Sequence, residues 1–319
     1  MLWLTWRQHR AELAGAALLL AAITAVLAVS GASMHAAYRA DGVAACLADQ
    51  GAGQAVCNEV IAQFRERYIP WGDQLTWLNL LPALAGVFIG APLLARELEH
   101  GTWKLAFTQT VTRTRWLATK LTLVGLAITL LAAAFTAVFT WWRAPLDAIH
   151  GRIEPPAFNF EGLSPAAAAL FAFAAGTLLG ALLRRTVAAM ALTLLAYFAV
   201  RTPVELALRP RYQTPKLRTL DAAQPRGRPG STDWILGQGM IDATGRRLTD
   251  AERTSVLYQA DNTGLDFDSY MAQHGLRHYI EYQPSSRFWT FQLLEAGLFL
   301  TLAATLLATA VWLIRRRTT

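Results

Sequence analysis

Charge is scarce in this chain. Only 16% of its 319 residues are Asp, Glu, Lys or Arg, while 54% are hydrophobic. Soluble domains carry about a quarter charged residues, so an ordinary soluble domain is excluded. Catalytic motifs are missing too. No GxxxxGK[ST] phosphate loop occurs, so the chain cannot bind ATP that way. HExxH, GxSxG and CxxC are also absent. Cysteine is limited to Cys46 and Cys57. The 6 histidines are scattered. His274 and His278 have helical spacing, but Gly275 lies between them, and surface histidines are the simpler reading than a metal pair. Asp266 and Asp268 are spaced as loop acids commonly are, which is thin support for a hydrolytic pair.

What is present is long apolar runs. They cover about residues 12–30, 75–95, 121–142, 166–183 and 288–314. Roughly 20 apolar residues cross ~30 Å of hydrocarbon as a helix. A further run starts at Val187 but soon meets Arg201 and Pro203. It predicts a broken or re-entrant element, tolerated at membrane depth only where protein or water surrounds it. The first run follows Arg7 and Arg10 and ends without a clear cleavage site, so it reads as an uncleaved span. Trp3, Trp6 and the arginines of residues 1–10 predict a short helix lying in the inner interface. Gly86–Gly90 and Gly176–Gly180 are GxxxG pairs that admit close helix approach, and Pro82 predicts a kink.

The net charge of +7 does not point to nucleic acid, because the bases lie where membrane topology places them. They gather in residues 1–10 and 96–120, at Arg184 and Arg185, and at Arg315, Arg316 and Arg317. Acids outnumber bases in the short loops 34–71 and 144–165. The positive-inside rule then puts both termini in the cytoplasm. The two cysteines fall outside, where a Cys46–Cys57 disulfide is stable. The large outer region, about 209–288, predicts a hairpin turn at 243–245. Its Thr249 and Glu252 form a capping-box pattern, and a short helix follows near 266–273. The chain divides into spans one to five (1–200), an extracellular domain (201–287) and a last span with a basic tail (288–319).

The inner stretch 96–120 is the unusual part. Glu97 and Glu99 leave the membrane, Gly101 permits a sharp turn, and Thr102 can cap the next helix. Trp103, Leu105 and Phe107 then give that helix an apolar surface suited to a groove on a partner. Candidate path-lining groups are Asn79, Thr129 and Thr136. Glu295 lies near the outer end of the last span, with Arg201 as its counter-ion at similar depth.

The run Arg96-Glu-Leu-Glu-His-Gly-Thr-Trp-Lys-Leu-Ala-Phe107 resembles the inner loop of ABC-2-type transporter permeases. The Trp6–Arg10 opening, the outer cysteine pair and the Tyr282–Trp289 entry to the last span resemble the permeases of high-GC Gram-positive bacteria. The resemblance implies an all-α, six-span bundle of the type V exporter-like kind, with a small mixed α/β extracellular domain between spans five and six. It implies a multi-pass protein of the bacterial plasma membrane, exporting drugs, lipids or peptides. It also implies a second permease copy and two separate ATPase subunits. ATP and magnesium would bind those subunits, and the chain itself would need no cofactor. Glu97, Glu99, Gly101 and Thr102 take the coupling-loop role, and residues 1–10 that of an interfacial connecting helix. The outer domain is larger than is common in the family. A membrane-anchored enzyme acting on lipid or cell-wall precursors through that domain is the alternative, and a sensor or scaffold without a path is a third reading.

Overall fold

A computed structural model describes residues 2–48, 54–100, 113–220 and 232–317. Six of its helices are long and apolar enough to cross a membrane. They are span one (Leu13–Ala40), span two (Leu75–Glu99), span three (Arg115–His150), span four (Ser164–Leu183), span five (Thr186–Arg211) and span six (Ser285–Arg316).

Several boundaries differ from the sequence reading. Span one continues a helix that starts at Leu2, with no break after Arg10. Span three runs past Trp142 to His150, with Pro145 inside the helix. Pro82 stands in the first turn of the segment Leu81–Ala85, where its missing N–H costs no helical bond. Span five is the main correction. It is neither broken nor re-entrant: the helix Thr186–Pro203 passes into a π-helical turn, Val204–Leu208, and continues to Arg211. Its cations need no break to reach water, because carboxylates meet them inside the protein.

Span four is the axis of the bundle. Spans two and four are the most buried, at 61% and 67% of their most apolar windows, against 11% for span one. The two GxxxG pairs explain the contact, because each is the other's partner. A Cβ added at Gly86 would lie 2.5 Å from the Ala172 carbonyl oxygen, and one at Gly90 2.6 Å from that of Phe173. From the other side, a Cβ at Gly180 would lie 2.5 Å from the Ala91 oxygen, and one at Gly176 would meet the Gly86 oxygen. Only hydrogen fits at these crossings, so the backbones touch. Spans four and five join through Arg184, whose left-handed backbone (φ 54°) ends span four.

On the face assigned outside, Cys46 and Cys57 form a disulfide between the helices Val43–Ala48 and Gln54–Gln74. Three antiparallel strands, β1 (Lys216–Leu220), β2 (Trp234–Ile241) and β3 (Arg277–Gln283), form a sheet of order β1-β3-β2. Strand β1 follows span five and β3 precedes span six, so the sheet grows from two neighbouring spans. Gln283 fixes its base by donating to the carbonyls of Pro210 (2.9 Å) and Gln213 (2.7 Å). The expected turn forms at Asp242–Gly245, but the returning arm makes only one bridge, Ile241 to Arg247. The capping box at Thr249 and Glu252 starts the helix Asp250–Thr263. Asp266 caps the helix Phe267–Gln273 through the Ser269 N–H.

Candidate functional site

Three features follow one another along the bundle, from the end predicted to face inward to the end predicted to face outward. The first is the end of span two. The Glu97 carboxylate pairs with Lys120 at the start of span three. Lys120 is buried, and its ammonium stands 4.8 Å from the Trp116 ring. Glu99 accepts from the Thr186 backbone N–H (3.0 Å) and hydroxyl (2.7 Å). A carboxylate at a helix N-terminus satisfies free N–H groups and complements the helix dipole. The two acids therefore tie span two to the starts of spans three and five. Gly101, Thr102, Trp103, Leu105 and Phe107 lie outside the described residues.

The second feature is a chamber of about 460 Å³ between spans one to five. Its wall is almost wholly apolar, with Gly15 and Leu19 of span one, Leu81 and Ala85 of span two, and Ala132 and Phe135 of span three. Asn79 and Arg96, at opposite ends of span two, both line it. At ~1.5 Å rise per residue it runs roughly 25 Å along the helix. Asn159, Tyr197 and Arg201 close its outer end. Of the predicted path residues, Asn79 and Arg201 face this chamber. Thr129, Thr136 and Glu295 are not among its lining residues. The Thr129 hydroxyl is spent on its own helix, donating to the Gly125 carbonyl at 2.9 Å. Thr136 carries a buried hydroxyl with no partner among the described residues.

The third feature is the polar knot behind that outer end. Glu295 is fully buried. It accepts from Arg201 Nη1 at 2.6 Å, Arg209 Nε and Nη2 at 2.8 Å each, and Ser164 Oγ at 2.6 Å. Tyr212 adds its hydroxyl at 3.3 Å. Arg201 also donates to Asn159 Oδ1 at 2.7 Å, and Asn159 donates to Glu205 at 2.8 Å. Two carboxylates thus face two guanidiniums, and the knot is neutral. One turn nearer the start of span six, Gln292 accepts from the N–H groups of Leu163 (2.9 Å) and Ser164 (2.8 Å), so span six caps span four.

The structure brings Arg201 and Glu295 together, but Arg209, Asn159, Ser164 and Gln292 escaped the sequence reading. A signal existed for Arg209. Arg201, Glu205 and Arg209 are spaced four apart, one face of a continuing helix. Reading a break at Pro203 hid that face. His274 stacks on Tyr270 at the end of its helix, and His278 lies in β3 beyond the left-handed Gly275.

A family model described as ABC-2 membrane transporter related matches residues 17–209. The chain belongs to this family. No curated protein matches it. As an ABC-2 permease it is a multi-pass membrane transporter component, and its family works with ABC ATPase partners. The matched region holds most of span one, all of spans two to four and nearly all of span five. It stops at Arg209, so the knot bolts the matched part of the permease to span six beyond it.

Proposed function

We propose that this permease forms half of the translocation path of an ATP-driven exporter. Two copies would face each other in the bacterial plasma membrane, with both termini cytoplasmic and the sheet domain outside. Two ATPase subunits, holding ATP and magnesium, would dock on the loop after Glu99. Loop basicity and the outer disulfide support that orientation. Cargo would be amphipathic or hydrophobic, a drug, lipid or peptide, as the apolar chamber suggests.

The observation that carries the reading is the double tether at the end of span two. Closure of the ATPases would push on residues 97–112. Glu97 would pass that push to span three through Lys120, and Glu99 would pass it to span five through Thr186. The moving body is then spans two, three and five. The outer domain could gate or hand over cargo.

Co-expression with a candidate P-loop ATPase subunit tests this. Glu99→Ala and Thr186→Val should leave ATPase subunits bound yet lower export per ATP about fivefold, the equivalent of ~1 kcal/mol for a lost cap. Unchanged export in both variants, or failure of any nucleotide-hydrolysing subunit to co-purify, would refute the coupling role.

A further inference from the structure

The outer end of the chamber holds a polar group that the fold leaves unused. Tyr197 lines the chamber and is 1% exposed. Its ring packs on Phe171 and Phe198, with centroids 6.3 and 5.4 Å away. Its hydroxyl makes no hydrogen bond among the described residues. The polar groups beside it are engaged with one another. Arg201 gives Nη1 to Glu295 and Nη2 to Asn159, and Asn159 gives Nδ2 to Glu205. The knot therefore presents a polar face without net charge. Asn79, at the same end, donates through Nδ2 to the Thr76 carbonyl at 3.0 Å, which leaves its Oδ1 as an acceptor. A phenol donates one hydrogen bond and can accept another, and burying it without a partner costs free energy. That partner must come from the chamber. The rest of the wall is apolar, and 460 Å³ lies within the ~300–1,000 Å³ typical of small-molecule sites. The chamber opens sideways, because Leu19 and Phe88 both line it and are 43% and 55% exposed. A ligand can therefore enter from within the bilayer.

We propose that the chamber binds an uncharged amphiphile, an apolar body with one hydroxyl or carbonyl oxygen, which accepts from the Tyr197 hydroxyl while the body fills the apolar middle. Taken as cargo selection, this rests on the exporter reading and narrows its cargo class. A cation at the outer end would find Glu205 and Glu295 already held by arginines, and an anion would find Arg201 already held by carboxylates. Either charge would be buried without a counter-ion, which is far costlier than burying a neutral oxygen that meets a donor. Arg96 lines the opposite mouth, roughly 25 Å along span two, beyond reach of a group bonded to Tyr197.

The test uses the purified full chain in nanodiscs. The probes share one chain length and a mid-chain diazirine, and end as an alcohol, a plain hydrocarbon, a carboxylate or a trimethylammonium. Adducts are mapped by peptide mass spectrometry around Leu131 and Ala132, which line the chamber. In the unaltered protein, the alcohol should label this segment about fivefold more than the hydrocarbon, the ratio expected of one hydrogen bond. Both charged probes should label it less than the hydrocarbon. Tyr197→Phe keeps the ring and removes the oxygen. It should bring the alcohol down to the hydrocarbon level and leave the hydrocarbon where it was. Equal labelling of the unaltered protein by alcohol and hydrocarbon overturns the proposal and needs no variant to fold. So does a charged probe that labels as strongly as the alcohol, or an alcohol preference that survives Tyr197→Phe, which would leave the hydroxyl to water. Labelling requires no nucleotide. Alcohol preference without export would therefore sink only the exporter reading, and export without that preference only this one.

Discussion

Glu295 holds two guanidinium groups at once, and that sets what its substitution does. Removing one partner of a buried ion pair costs about 3–5 kcal/mol, because the other charge stays uncompensated. Glu295→Gln leaves Arg201 and Arg209 to share Glu205 alone, 3.8 and 4.0 Å away, so the purified protein should melt clearly lower, while Ser164→Ala, which removes one hydroxyl donor, should cost about 1 kcal/mol. Thermal unfolding in detergent compares the two, and equal melting points would contradict the knot as described. The sequence suggests a simple exchange of charge between positions 201 and 295. The structure predicts that this double swap fails to restore stability, since an arginine at 295 would face Arg209. Arg201→Glu with Glu295→Arg should therefore stay near the single variants in yield and melting temperature. Sequence gave access to the first pair because both charges interrupt apolar runs. The second arginine was hidden because its value depends on a helix persisting through Pro203.

At the scale of elements, the crossing of spans two and four depends on four glycines. Gly176→Val would drive side-chain atoms into the Gly86 and Ala91 backbone. Overpacking of this kind costs typically 1–3 kcal/mol, whereas Gly15→Val, with open space around it, should be near neutral. The same thermal assay separates them. The sheet domain has its own pH dependence. The Thr249 N–H and hydroxyl hold Glu252 below its ordinary 4.5, the Thr244 hydroxyl holds Asp242 below 3.8, and Ser269 holds Asp266 below 3.8. Carboxyls depressed in the folded state stabilise it above the unfolded pKa and lose that contribution as pH falls through the folded value. Protection of β2 and the helix Asp250–Thr263 against hydrogen exchange should therefore be flat above pH ~5 and decline below pH ~4. A decline beginning near neutrality would point to other groups. The capping box itself was legible, since Thr249 and Glu252 are three apart in a polar segment. The sheet order was not, because β1 and β3 pair across the intervening β2 and two helices.

For the whole molecule, sidedness is the property most open to measurement. His100→Cys, just past the double tether, should resist a membrane-impermeant maleimide in intact cells and react after lysis. Ser255→Cys, on the exposed face of the helix Asp250–Thr263, should react in both. Reversed accessibility would invert the orientation and remove the coupling proposal with it. Hydrophobicity by itself determined that the chain lies in a membrane, because apolar runs of bilayer length have no other stable solution. Charge asymmetry determined the expected orientation, and the two cysteines could bond only to each other within the chain. Tertiary structure alone decided that two GxxxG pairs oppose one another, that span five remains continuous, and that Glu295 binds two arginines. Each of these depends on distances between segments far apart in the chain. Local periodicity shows which face of a helix is small or charged, but not what stands against it.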